Sequence, residues 1–324
     1  AMSRRQRQMC IRDRFKTDLD WFGPSIDGHI FANASDNGGI TKYEFSIGSS
    51  AGLDDIMPWT ASDSNSYLAD VSSLSEDVTY YSNARVTDVV GNVVTQSSDG
   101  FKMDITNPIL GNISIGNEYQ SDTSKVTYVW SDFDDLHSGI ADYQYSLGTE
   151  SGLTDVIPRT SFGLNADFAS VSITIGGLSL QNEQTYYGTI YAVDMVGNET
   201  LAFSEGVTID RNGPEAGQIV DGFGPDLDFL KDTTSATASW SGFYDLNRID
   251  YYELALGSSE GNTDIVDWTD VGTSSSYSFN GLSLKPGSSY YFSIRAYDRL
   301  GNPSDTISTD GFLIDMVGPN VLSV

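Results

Sequence analysis

Tyr191-Ala192-Val193-Asp194-Met195-Val196-Gly197-Asn198 ends in Asp, two variable residues, Gly and Asn. The same ending is written twice more, as Asp88-Val89-Val90-Gly91-Asn92 and Asp298-Arg299-Leu300-Gly301-Asn302. An Asp side chain accepts bonds from N–H groups inside a tight loop, and Gly enters the left-handed region without a side-chain clash. Strand-like residues flank each copy, so the motif reads as a hairpin closure, a structural device rather than a chemical one. Three such closures imply a unit that is repeated.

Two further anchors recur in the same order. Ile40 to Gly48 (ITKYEFSIG), Ile140 to Gly148 (IADYQYSLG) and Ile249 to Gly257 (IDYYELALG) start at intervals of 100 and 109 residues. Gly100 to Pro108 (GFKMDITNP), Gly206 to Pro214 (GVTIDRNGP) and Gly311 to Pro319 (GFLIDMVGP) close each copy. A period of this length is a domain-sized unit, too long for a solenoid repeat and able to hold its own core. Within a copy the runs alternate apolar and polar, as in VTYVW ending at Trp130 and ATASW ending at Trp240, which puts one face on a core and one in water. About seven short strands and no helix per copy predict a two-sheet sandwich.

The expected fold is therefore all-β: three tandem seven-stranded β-sandwiches at 18–107, 108–213 and 214–318. The first lacks its opening strand and starts near Asp18-Leu19-Asp20-Trp21, which lines up with Asp226-Leu227-Asp228-Phe229 inside the third. Residues 319–324 resemble the start of a fourth copy, so the chain reads as a piece of a longer array.

Trp130 and Trp240 in the second strand, and Leu284-Lys285-Pro286-Gly287-Ser288-Ser289-Tyr290 leading to Ala296, resemble the fibronectin type III family. The likeness is to the bacterial form strung in tandem on secreted and cell-surface proteins. Copy two repeats the pattern with Leu180, Tyr186 and Ala192; copy one has Leu74 and Tyr80, but Val86 in place of the Ala and Ala32 in place of the Trp. The resemblance implies an immunoglobulin-like sandwich in which each such Tyr buries its ring and bonds its hydroxyl to nearby backbone. It implies an extracellular or cell-surface setting, and it leaves function open because this fold hosts many roles.

Composition narrows the partners. The formal net charge of -28 excludes a nucleic-acid binder, which needs Lys and Arg, and disfavours an anionic membrane surface. No apolar run reaches the length of a membrane helix, so no membrane insertion is expected. The basic residues crowd the start: Arg4, Arg5, Arg7, Arg12, Arg14 and Lys16 precede Asp18. RRQRQMCIRDR (Arg4 to Arg14) resembles a sequencing-library adapter translated in one frame, so residues 1–17 are set aside from the fold as non-native or disordered. The single cysteine, Cys10, falls inside that stretch, and neither disulfide nor thiol chemistry is expected.

Few residues carry chemistry. Gly48 to Gly52 (GSSAG) and Gly257 to Gly261 (GSSEG) match the Gly-x-Ser-x-Gly of serine hydrolases, but no helical pattern follows Ser50 or Ser259 and copy two has Glu150 at the nucleophile position. His29 and His137 do not recur between copies. Catalysis is not expected. Asp132, Asp134 and Asp135 in WSDFDDLHSG offer hard oxygen donors suited to calcium, against the blander reading of a solvated acidic loop; copy three keeps only Asp245 of the three. Trp59 and Trp268 occupy equivalent places, where copy two has Arg159; they are either ligand-contact aromatics for a sugar ring or core, with core favoured. Asn33, Asn112 and Asn198 sit in glycosylation sequons, a pattern that arises often by chance. The expected function is a non-catalytic spacer or adhesion array whose partners are other domains of the same polypeptide. The alternatives are a module binding polysaccharide or a surface protein, and an accessory region of a secreted enzyme.

Overall fold

The computed structural model describes residues 20–23, 28–163 and 170–320. The basic segment at 1–17, with Cys10, lies outside them, as do the last four residues of the 319–324 segment. Every regular element among the described residues is a strand, and no helix is long and apolar enough to cross a membrane. The fold is all-β.

By packing, the described residues fall into two compact units. One is drawn from Ala1–Ile115, Thr127–Ile173 and Tyr186–Glu205, the other from Gly116–Val126, Thr174–Thr185 and Gly206–Val324. In the first unit, one sheet runs in the order Met57–Ser62, Ile40–Gly48, Tyr81–Asp88, Val93–Ser97. Gly28–Phe31 pairs antiparallel with Ser66–Ala69. The second repeat contributes Ile140–Gly148, flanked by Ile157–Ser161 and by the strand that ends at Asp194, which in turn pairs with Glu199–Phe203. In the second unit, Gln218–Asp221, Ser235–Ser241 and Ser276–Asn280 form one sheet. Phe229–Leu230, Phe312–Ile314, Ser289–Asp298, Ile249–Gly257 and Val266–Asp270 form the other.

Period-two alternation fills the core. Val126, Tyr128 and Trp130 are buried while Val129 is exposed, and Ala236, Ala238 and Trp240 do the same in repeat three. The apolar clusters of repeats one and three are separate: one centres on Phe22, Phe45, Tyr80 and Phe101, the other on Trp240, Leu254, Phe292 and Phe312. Ala32 is buried at the place of the missing Trp, beside a cavity of about 30 Å³ lined in part by Ala84, Val86 and Val94, so that core is filled less deeply. The tyrosine corners form as expected. Tyr80 and Tyr290 are 5% and 4% exposed, and their hydroxyls accept the N–H groups of Ser75 and Lys285, each at 2.9 Å.

Two features recur in all three repeats. A bulge interrupts the first anchor strand between Phe45 and Ile47, Tyr145 and Leu147, and Leu254 and Leu256. The glycine that follows must be glycine: a Cβ on Gly48, Gly148 or Gly257 would lie 2.4, 2.4 or 2.1 Å from the carbonyl oxygen of Leu53, Leu153 or Asn262. Each repeat also pairs a short segment ahead of its Ile-to-Gly anchor strand parallel with its last strand: Trp21–Phe22 with Lys102–Met103, Tyr119–Gln120 with Val207–Ile209, and Phe229–Leu230 with Phe312–Ile314.

Candidate metal centres

The thrice-written turn is a working hairpin closure. Asp88, Asp194 and Asp298 each accept their own turn's N–H groups through Oδ1, including that of Asn92, Asn198 or Asn302 at 2.8 Å. Through Oδ2 they accept the side-chain amide of the same Asn at 2.7–2.8 Å. Gly91, Gly197 and Gly301 have φ of 88, 96 and 84°, where a side chain is strained.

In repeats two and three the turn Asp has a second role. Asp194 lies with Asp104 and Asp135, each presenting a carboxylate oxygen within 4.8 Å of the others; Asp298 lies likewise with Asp210 and Asp245. The two triads are built identically. Asp104 and Asp210 come from the closing anchors GFKMD and GVTID, and Asp135 and Asp245 from the loops after the Trp130 and Trp240 strands. Asp104, Asp194, Asp210 and Asp298 are all 3% exposed or less. Asp88, with no such companions among the described residues, is only half-buried.

Three like charges at this spacing repel, and two of each triad are buried while the third, Asp135 or Asp245, is half-buried. Burial, then the Asp104 charge, holds the Asp194 carboxyl above its usual range despite the turn bonds that favour its ionised form. Burial, then the Asp210 and Asp298 charges, does the same for Asp245. The relief the protein itself supplies differs between repeats. In repeat three, Asn247 donates its amide to Asp210 Oδ2 at 2.7 Å and to Asp298 Oδ2 at 3.2 Å. In repeat two the same place holds His137, whose ring lies 3.3 Å from Asp77, 3.6 Å from Glu76 and 3.9 Å from Asp104. Burial pulls His137 down, but the Asp77 bond and the three carboxylates outweigh it and leave the imidazole above its ordinary value. Asp135 Oδ1 accepts the N–H groups of His137 and Gly139, while its Oδ2 is buried with no hydrogen-bond partner. A hard divalent cation with oxygen ligands suits such a set.

Of the three loop acids singled out in the sequence, the structure brings only Asp135 to a triad. Asp132, at φ 63°, turns its carboxylate to Asn112 Nδ2 and Ser131 Oγ, both at 2.8 Å. Asp134 accepts the N–H of Asp135. The partners that sequence reasoning missed, Asp104 and Asp194, lie in the anchors themselves. The available signal was that GFKMD and GVTID carry Asp at the same place and that Asp135 and Asp245 share Asp-Leu-His/Asn.

Trp59 and Trp268 are half-buried on a sheet face, each under a guanidinium: Arg85 lies 4.4 Å from the ring centre of Trp59, and Arg295 4.4 Å from that of Trp268. Glu44 holds Arg85 through two bonds of 3.0 Å, and Glu253 holds Arg295. Repeat two swaps the partners across the strands, with Arg159 in the Trp place lying 4.1 Å over Tyr191 in the Arg place. These are cation–π stacks worth roughly 0.5–1 kcal/mol at exposed sites. Ser50 and Ser259 are exposed residues of short loops, each accepting a backbone bond three residues on, with no helix following.

No family model matches this sequence, and no curated protein does. Among solved structures, the chain is similar to the FN1–FN3 domains of chicken CNTN1, at 14% identity over 94% of this chain and 97% of that one, with a TM-score of 0.29. It is also similar to a 1.5-MDa bacterial ice-binding adhesin (14% identity, 90% and 92% covered, TM-score 0.43). A Ca²⁺-stabilised, ice-binding adhesin of an Antarctic bacterium matches at 14% identity over 94% of this chain and 74% of that one, with a TM-score of 0.43.

Proposed function

We propose that this chain is a non-catalytic, extracellular spacer and adhesion array. Three fibronectin type III-like modules, at 18–107, 108–213 and 214–318, belong to a larger surface or secreted protein, and calcium joins successive modules. One observation carries the reading: the same carboxylate triad is built twice, each time from the closing anchor of one repeat and from a loop and a hairpin turn of the next. A cation there ties the closing anchor of one module to the body of its successor and limits bending at Asn107-Pro108 and Gly213-Pro214. Extracellular calcium modules work at roughly 10⁻⁴–10⁻³ M, a range that suits sites made of few carboxylates outside the cell. Other domains of the same polypeptide are the first partners; a polysaccharide or surface protein is the second.

Thermal melting of the whole chain tests the calcium part. Calcium should raise the transition and chelator should lower it, and transitions indifferent to both would remove calcium from the account. A glycan array tests the spacer part: saturable binding to one sugar class would replace the spacer by a binding module.

A further inference from the structure

A third carboxylate group lies wholly inside repeat three and differs in kind from the junction triads. Asp221, Asp226 and Asp310 each present an oxygen within 4.8 Å of the others. Asp226 and Asp310 are exposed, whereas Asp221 is 1% exposed and both of its carboxylate oxygens are buried without a hydrogen-bond partner. Among the described residues no Lys or Arg forms an ion pair with any of the three. An unpaired buried carboxylate is expensive and normally acquires a proton, a cation or a donor.

Strand register shows that the fold does not require an acid here. Trp130 pairs with Ile113 in repeat two, and Trp240 with Ile219 in repeat three, so Asp221 occupies the place of Ile115. Ile115 is 2% exposed and plainly apolar. Repeat three thus replaces a core isoleucine with a carboxylate. It follows that carboxylate with the loop Gly222-Phe223-Gly224-Pro225-Asp226, bent by positive φ at Gly222 and Gly224, which returns Asp226 to it. Asp221 N–H donates to Asp226 Oδ1 at 3.1 Å, holding that return. A cavity of about 200 Å³ opens beside Asp221, lined by Phe223, Leu227, Thr237 and Phe312 among others.

We propose that Asp221, Asp226 and Asp310 form a calcium site within repeat three, independent of the junction triads. Calcium–oxygen bonds of about 2.3–2.6 Å place opposite ligands about 4.6–5.2 Å apart, so a set within 4.8 Å spans one ion. Burial pushes Asp221 up to about 7, with the Asp226 and Asp310 charges adding to the rise; the Thr309 hydroxyl and the Gly311 N–H pull the other way, but neither comes close enough to make a hydrogen bond. A cation reverses that balance and gives the buried Asp221 carboxylate a partner.

Calorimetric titration of the chelator-stripped whole chain with calcium chloride tests this. Asp226→Asn/Asp310→Asn changes two exposed residues and should lose one calcium equivalent per chain. Asp221→Ile, which restores the sister repeat's residue, should lose the same equivalent yet melt no lower than the parent in chelator. Asp245→Asn reports on one junction triad alone. Full parental stoichiometry in the double variant and in Asp221→Ile overturns the proposal, whatever Asp245→Asn does. Loss in those two with none in Asp245→Asn sustains it while removing the junction reading. An Asp221 carboxyl ¹³C titration unmoved by calcium would also overturn it, leaving a shared proton in the group.

Discussion

Single residues carry more than one duty here, and the sheet-face stacks show it most simply. Glu44 is 9% exposed and holds both Arg85 and Lys42, and those partners, Arg85 first, keep its carboxyl below the usual range. A depressed acid contributes stability above its unfolded value and loses it as pH falls through the folded one. Urea melts at stepped pH should therefore show Glu44→Gln about 1 kcal/mol less stable than the parent near neutrality, with the gap closing below roughly pH 4. The tyrosine corner offers a cleaner test. Tyr290→Phe keeps the ring and strands the Lys285 N–H, so it should cost about 1 kcal/mol in a chemical denaturation curve, with the slope unchanged. The Trp59 and Trp268 stacks were half legible in the sequence. Their equivalence was visible, but the covering arginines sit on another strand and only the register reveals them.

At the scale of the element, one motif in two settings makes a controlled comparison. The Asp88 and Asp194 hairpins share three side-chain bonds, and Asp194 Oδ1 also accepts the Gly197 N–H at 2.6 Å; Asp194 is 2% exposed and shares its surroundings with Asp104 and Asp135. Asp88→Ala lets water reach the freed donors and should cost about 1 kcal/mol; Asp194→Ala strands buried ones and should cost about 2–3. Equal losses in paired denaturation curves would mean that the junction adds nothing to the turn. The bulge glycines give a second test. Gly148→Ala forces a Cβ against the Leu153 carbonyl, and the loss should be about 1–3 kcal/mol, against a few tenths for an exposed loop glycine replaced without strain. Strand existence was read from local alternation. The short parallel pairings were not, because Trp21–Phe22 and Lys102–Met103 are far apart in sequence and too short to show a period.

For the chain as a whole, charge and cation are linked. A net charge of -28 makes every compact arrangement self-repelling, and the proposed divalent ions at the carboxylate groups would relieve that repulsion where it is strongest. Free calcium at a hundred times a site's dissociation constant should stabilise the protein by about 2.7 kcal/mol per site. Scanning calorimetry should record an upward shift with calcium that sodium chloride at matched ionic strength does not reproduce. A shift reproduced by sodium chloride would mean general screening rather than sites.

The sequence by itself determined the all-β class, the repeat, the hairpin turns, the tyrosine corners and the alternation that buries Trp130 and Trp240. All of these depend on neighbours a few residues apart, through strand periodicity and turn chemistry. Only the tertiary structure decided which acids meet. Asp104 and Asn198 are in contact across 94 positions, and Asp135, rather than Asp132 or Asp134, presents its carboxylate to Asp104 and Asp194. Asp221 reads in the chain as one more surface acid. Its burial follows from a strand register shared with Ile115, which no local pattern encodes.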